Sequence, residues 1–237
     1  FYVRQGRPKL YIPDAFPKLK LDIFDRAHVI PTAGHFGAKR TLMKIQRSYF
    51  WPKMKDDVTE WVRECNICVT TKRLNLAQPV GVPHAIPLEC WEVMFMDETS
   101  GFPPSNGFDA IWIFVCKLSK MAHFVPVTKK GLTSRGLAQL FLQHIFRLHG
   151  MPRMIVSDRD DLIEADFWQT LMKKAQVVSN MSTPAHPQTD STGEATVRMC
   201  VDLCRRFVDS NQDDWYELLP ALEFAYNDTP TSTGYSQ

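Results

Sequence analysis

Three carboxylates, Asp97, Asp158 and Glu194, stand where acidity can serve phosphoryl chemistry, with 35 residues separating the last two. Asp97 closes the apolar run Trp91-Glu92-Val93-Met94-Phe95-Met96, and Asp158 closes Met154-Ile155-Val156-Ser157, so both are expected at the tips of buried strands. Glu194 follows a stretch rich in Pro, Gly, Ser and Thr and opens an amphipathic segment with helical spacing. Carboxylate oxygens are hard donors, and such a trio can hold a pair of divalent cations against phosphate oxygens. Any one Asp in a chain with 26 acidic residues is ordinarily a solvated surface group. The inference rests on three falling at special positions together.

A second constellation has different chemistry. His28 and His35, with six residues between them, are followed by Cys65-x-x-Cys68. Two imidazoles and two thiolates form the soft tetrahedral set that structural zinc prefers over magnesium. The intervening segment holds two short helical patterns and few apolar residues, so metal binding would supply much of its folding free energy, on the order of 10 kcal/mol. With all four positions filled by protein, this ion would be structural. The competing account is a pair of plain buried thiols with incidental histidines. Cys200 and Cys204, one helical turn apart, share an apolar face with Val197 and Phe207 and read as core. His144 and His149 flank a helix end and read as capping or surface groups. Glu98 and Asp109 have no spacing argument as further ligands.

The elements that must position these groups divide at a proline-bearing stretch, residues 75–89, with Pro79, Pro83 and Pro87. Ahead of it lie an extended arm or edge strand over residues 1–24 and a small helical zinc-binding domain over 25–74. In that domain Leu42, Ile45 and Tyr49 mark one helix, and Pro52 starts another striped by Met54, Val58, Trp61 and Val62. Behind it, residues 90–237 read as strands at 91–97, 109–117 and 120–127, with the last two meeting near Leu118-Ser119. A helix is expected over Thr133–Leu148, stopped by His149-Gly150. The strand ending at Asp158, a helix around 166–175, a strand at 176–179, a helix from Glu194 to about Val208 and a last helix over 214–226 complete the pattern. Antiparallel strands followed by alternating strands and helices predict an α/β domain with a mixed five-stranded sheet and helices on both faces.

Composition is that of an ordinary globular chain, 44% hydrophobic and 23% charged over 237 residues. No run approaches the eighteen or so apolar residues of a membrane span. Six cysteines, two as Cys-x-x-Cys and the rest scattered, predict a reducing compartment rather than a disulfide framework. The absent initiator Met and the stop at Gln237 point to a piece of a longer protein. The net charge of +2 is unevenly placed, with 15 Lys/Arg against 7 Asp/Glu in residues 1–74 and 13 against 19 thereafter. A basic first third suits a polyanion, although an ordinary Lys-rich solvated face would look the same.

The chain resembles the integrases of retroviruses and long-terminal-repeat retrotransposons, in particular the gypsy-type group. The resemblance is carried by Ala33-Gly34-His35, Tyr49-Phe50-Trp51-Pro52, Cys65-Asn66-Ile67-Cys68, Leu118-Ser119-Lys120-Met121-Ala122-His123-Phe124, Val156-Ser157-Asp158-Arg159-Asp160 and His186-Pro187-Gln188-Thr189-Asp190. Asp214-Trp215-Tyr216-Glu217-Leu218-Leu219-Pro220 and Phe224-Ala225-Tyr226-Asn227 extend it. It implies a zinc-binding helical domain ahead of a ribonuclease-H-like catalytic domain, the latter truncated here. It also implies that Asp97, Asp158 and Glu194 bind two magnesium or manganese ions, and that element-end DNA is trimmed and joined to host DNA. A homo-oligomer on double-stranded DNA, action in the nucleus and no role for a membrane are implied with it. Lys39, Arg40, Lys44, Gln188 and Arg198 are the candidate phosphate contacts, each of which could equally be a solvated surface group. The loop 184–193 is the candidate mobile element over DNA.

The chain also departs from the group's pattern. Cys116 stands where Asp is usual, and Asp161-Leu162-Ile163-Glu164-Ala165 replaces a Pro-Arg-Phe-Thr-Ser type of segment. Ser191-Thr192-Gly193 precedes Glu194, and Ala195 and Val197 follow where Arg and Asn are usual. Three functions stay open on sequence: a DNA strand-transfer enzyme, a decayed or host-adopted binding module without catalysis, and a ribonuclease or resolvase on the same fold. The N-terminal His/Cys set disfavours the last.

Overall fold

A computed structural model describes residues 2–4, 7–71, 87–158, 160–181 and 214–229. Strands β1 (Tyr2–Arg4) and β2 (Arg7–Tyr11) pair antiparallel, and β2 pairs parallel with the two-residue β3 (Tyr49–Phe50). Three helices pack beside this ribbon: α1 (Pro17–His28), α2 (Ala38–Ile45) and α3 (Met54–Glu64), with a short α4 (Asn66–Thr71) after them. Pro17 occupies the first turn of α1, where a missing N–H and a fixed φ cost nothing. The helix that supplies His28 therefore starts inside the segment expected to be an arm. Ile23, Phe24 and Ala27 of α1 meet Ile12, Ile45, Trp51, Met54, Val58 and Val62 in one small core.

The larger unit is a mixed five-stranded sheet, β6-β5-β4-β7-β8, as the alternation predicts. Strands β4 (Val93–Ser105), β5 (Phe108–Cys116) and β6 (Ala122–Val127) form an antiparallel meander, and β7 (Met154–Ser157) and β8 (Val178–Met181) add parallel to β4. Helices α5 (Ser134–Phe141), a π-type turn (Leu142–Phe146), α6 (Arg147–His149), α7 (Asp161–Glu164) and α8 (Asp166–Lys174) follow in chain order, then α9 (Trp215–Asp228).

Because side chains alternate along a strand, β4 feeds two cores. Met94 and Met96 join Trp112, Phe114, Phe141, Ile145 and Trp168 on the α5/α8 face. Val93 and Phe95 join Ile111, Ile113, Trp215, Leu219 and Leu222 on the α9 face. Strands apolar on both faces are what a covered sheet requires.

Two expectations are corrected. Asp97 does not end its strand: β4 runs on through Glu98, Thr99 and Ser100, paired with Trp112, Ile111 and Ala110. The apolar run stops there, yet the hydrogen-bond ladder continues because β5 still offers a partner. The chain returns through Asn106-Gly107, at φ 48° and 86°, a pair of left-handed residues suited to a tight hairpin. The second correction is a shift, since β8 starts at Val178 rather than at residue 176. The expected helix from Glu194, the loop 184–193, Gln188, Arg198, Cys200 and Cys204 lie outside the described residues.

Strand β6 is a sheet edge, and α9 covers it with side chains. Asn227 Oδ1 accepts from Ala122 N at 2.9 Å, and Asn227 Nδ2 donates to Ala122 O at 2.8 Å. Glu223 Oε2 accepts from Phe124 N at 2.7 Å. Backbone groups that would otherwise invite another strand are thereby satisfied. Cys116 likewise satisfies backbone donors. Its buried sulfur accepts from Trp91 N at 3.1 Å and Ser119 N at 3.4 Å.

Glu223 also starts a relay. Its Oε1 lies 3.1 Å from His123 Nδ1, and His123 Nε2 lies 2.8 Å from His149 Nε2. His149 stacks flat on Trp91, with centroids 4.0 Å apart. Burial, and then the charge of His123, hold His149 below the ordinary histidine value, and burial followed by His123 does the same for His144. Glu223 acts against these and Arg147 with them at His144. A histidine depressed in the folded chain favours folding above its unfolded pKa, near 6.5, and that contribution is lost as pH falls through the lower folded value. The melting temperature is therefore expected to fall as pH drops below about 6.5. His149→Phe, which retains the stack on Trp91, should flatten that slope; an unchanged slope would exclude His149 as its origin.

Candidate functional site

Parallel pairing of β4 with β7 sets Met96 opposite Ser157, so Asp97 and Asp158 are the next residues along two neighbouring strands. Such strands run about 4.8 Å apart. Both aspartates line one open cleft of about 170 Å³, together with Glu98, Ser100, Lys129, Asp160 and the apolar Met96, Trp112 and Ile163. Asp97 is half-buried and its Oδ1 accepts from Glu98 N at 2.8 Å, while Asp158 is exposed. Asp160 Oδ1 accepts from Leu162 N at 2.8 Å and so caps α7. Asp161 and Glu164 sit in that same short helix and extend the negative rim.

Lys129 is a site residue that spacing alone does not single out. Its ammonium lies 2.9 Å from Glu98 Oε1 and 3.4 Å from Ser100 Oγ. Asp109 Oδ1 accepts from its backbone N–H at 2.7 Å, which pins the stretch after β6 to the β4–β5 hairpin. The Glu98 carboxylate, by hydrogen bond and charge, raises Lys129 above the ordinary lysine value, and Asp160 and Asp109 add to this. The signal in the sequence is slight: a lysine two positions beyond a strand in the same sheet as Glu98.

The second site is built by turns. His28 is the last residue of α1, and a hydrogen bond from His35 N to His28 O, 3.1 Å, closes the loop between them. Gly34 at φ 78° and His35 at φ 44° reverse the chain. A Cβ on residue 34 would lie 2.5 Å from Phe36 Cε2, so this left-handed position has room only for glycine. Cys65 ends α3 and Cys68 lies in the first turn of α4. The donor atoms of His28, His35, Cys65 and Cys68 all lie within 4.8 Å of one another.

The distances suit an ion of the expected kind. Zinc bound tetrahedrally at about 2.3 Å to sulfur and about 2.0–2.1 Å to nitrogen sets S···N edges of roughly 3.6 Å. Cys68 Sγ is 3.3 Å from His28 Nε2 and 3.8 Å from His35 Nδ1, and Cys65 Sγ is 3.4 Å from His35 Nδ1. An outer contact orients one ligand: His28 Nδ1 lies 3.1 Å from Thr41 Oγ1, which donates to Phe36 O at 2.9 Å. With its own proton committed to Phe36, the Thr41 oxygen accepts from Nδ1–H. The Nε2 lone pair is left facing the cysteines.

Of the candidate phosphate contacts, Lys39 is exposed on α2 and Arg40 lies over the Phe36 ring at 5.4 Å. Lys44 Nζ is 2.9 Å from Asp228 Oδ2, and Arg47 reaches Asp228 Oδ1 and its carbonyl oxygen at 3.2 Å each. Lys44 thus joins the two folded units. Among the described residues, no helix is long and apolar enough to cross a membrane.

Residues 16–73 match the integrase zinc-binding domain family. The Tf2-3 and Tf2-4 transposon polyproteins of Schizosaccharomyces pombe are 29% identical over 195 residues, which is 81% of this chain and 14% of theirs. The chain therefore spans about one seventh of the length of these curated relatives. The HTLV-2 integrase catalytic core domain, solved in complex with magnesium in a dimeric form, has a TM-score of 0.50 at 15% identity, covering 63% of this chain and 94% of that one. The sheet thus has the ribonuclease-H-like fold of that integrase core, residues 16–73 are similar to the integrase zinc-binding domain family, and the chain is similar to retrotransposon polyproteins.

Thr41→Val is expected to leave α2 in place and to lower zinc affinity about 10- to 100-fold, the usual effect of losing an outer-shell partner. Competition with a chromophoric chelator would measure it. Affinity equal to that of the unaltered chain would remove Thr41 from the site.

Proposed function

We propose that this chain is the integrase segment of a retrotransposon polyprotein, performing 3′-end processing and strand transfer of element DNA into host DNA. One observation carries the reading: the β4–β7 register that brings Asp97 and Asp158 into a single acidic cleft. Asp97, Asp158 and Glu194 are the proposed catalytic carboxylates and the holders of two magnesium or manganese ions. His28, His35, Cys65 and Cys68 hold one structural zinc.

Held by Asp97, Asp158 and Glu194, a pair of divalent cations would supply activation of a water or a DNA 3′-hydroxyl and neutralisation of the leaving 3′-oxygen. The chain's own part is positioning. Asp97 and Asp158 present oxygens from a fixed ladder, and the hydrogen bond from Glu98 N restrains the Asp97 carboxylate. Lys129 neutralises Glu98, leaving the aspartates as the anionic donors of the cleft. The apolar side chains Met96, Trp112 and Ile163 line the cleft beside these carboxylates. Water as nucleophile gives trimming, and a 3′-hydroxyl gives joining.

Double-stranded DNA is the proposed partner, with Lys39, Arg40, Lys44, Gln188 and Arg198 as phosphate contacts. A homo-oligomer acting in the nucleus completes the reading. The alternative, a binding module that retains both folds without joining, draws support from Asp161 and Glu164, which add charge repulsive to DNA beside the cleft.

Strand-transfer assays with magnesium decide between them. Asp158→Asn should lower joining on the order of 10³-fold, about 4 kcal/mol of transition-state stabilisation. Equal and negligible joining by both proteins, with DNA binding and melting temperature intact, would favour the binding module.

A further inference from the structure

We infer that the zinc-ligand loop is also the docking surface between the basic N-terminal module and the core, so that zinc occupancy governs how firmly α9 is held. The inference rests on the reading of His28, His35, Cys65 and Cys68 as a zinc site. His35 and Phe36 are adjacent, yet they serve different units. His35 faces the cysteines, with Nδ1 3.4 Å from Cys65 Sγ. Phe36 belongs to the core cluster of the sheet, buried with Phe95, Val115, Trp215, Leu219 and Leu222. Its own module has a separate core that does not include it.

The Phe36 position is set by the loop that delivers the ligand. Gly34 permits the reversal, and the Phe36 carbonyl is held by Thr41, the same hydroxyl that orients His28. The turn Pro31–Ala33 lies against α9, with Ala33 buried. At the far end of the helix, Asp228 takes Lys44 and Arg47. Zinc removal frees His28 and His35 from the cysteines, and the 28–35 loop that aims Phe36 loses its frame. The apolar plug and the ion pairs then contribute less to α9.

The coupling has a direct readout that does not depend on joining activity. Hydrogen exchange of the α9 amides, residues 215–228, is measured on the whole chain with zinc and after chelation. Chelation is expected to speed α9 exchange about tenfold or more, while β5 amides stay protected. Phe36→Ala should retain one zinc per chain and speed α9 exchange to a similar degree, since it removes a large buried side chain. In that variant, chelation should add little further change at α9. Phe36→Leu, which fills most of the pocket, should recover much of the protection.

The inference fails if chelation loosens residues 28–68 and leaves α9 unchanged, or if Phe36→Ala leaves α9 unchanged. It also fails if the purified chain binds no zinc. Loss of joining with zinc-dependent α9 protection intact would instead overturn the enzymatic reading and leave the docking standing.

Discussion

Strand β4 is hydrogen-bonded along both edges over the residues that lead into Asp97, to β5 on one side and β7 on the other. That double pairing is the constraint on which the cleft depends. Side chains alternate with a period of two, so a slip of one residue would exchange Met94 and Met96 with Val93 and Phe95 between the two cores. It would also turn Asp97 to the opposite face. The register is fixed because both faces of β4 are filled, by α5 and α8 on one side and α9 on the other. Two carboxylates side by side therefore follow from apolar packing several residues away.

The N-terminal module solves a different problem. Among the described residues its core is nine buried apolar side chains with six partly buried ones packed against them, a small core for roughly fifty residues of chain. Four converging donors offer a further constraint at the point where α1, the 28–35 loop and the start of α4 meet. Phe36 takes part in the other core instead. The module thus gives up one of its large aromatics to the interface, and its own packing depends all the more on the ligand set.

Much of this was legible in residue types. Continuous apolar runs located β4, β5 and β7, and the 3.6-residue stripe of Met54, Val58 and Val62 located α3. Thr133 accepting from Gly136 N, 3.1 Å, begins α5 at the start of the expected helix. What escaped was set by pairing rather than by local pattern. The polar half of β4, Glu98 to Ser105, lacks an apolar run and is a strand only because β5 lies beside it. Asn106-Gly107 carried a local signal for that hairpin. The His123–Glu223 contact joins residues a hundred positions apart, and no spacing rule reaches that far. Pro17 sat in the segment read as an extended arm or edge strand, yet at the first turn proline favours a helix.

Charge separates along the chain as the fold separates in space. Asp97 and Asp158 are presented by adjacent strands that cannot move apart without breaking the ladder. Both carboxylates are thus set toward one cleft by the backbone, which is the sense in which such a site is preorganised. Lys129 pairs with Glu98, and Asp160, Asp161 and Glu164 add negative charge beside the cleft. The opposing charge resides in residues 1–74, and part of it, Lys44 and Arg47, is engaged by Asp228 of α9. The ion pairs that attach the basic module to the acidic core thus engage Lys44, one of the proposed phosphate contacts, and attachment and polyanion binding are alternatives for that side chain.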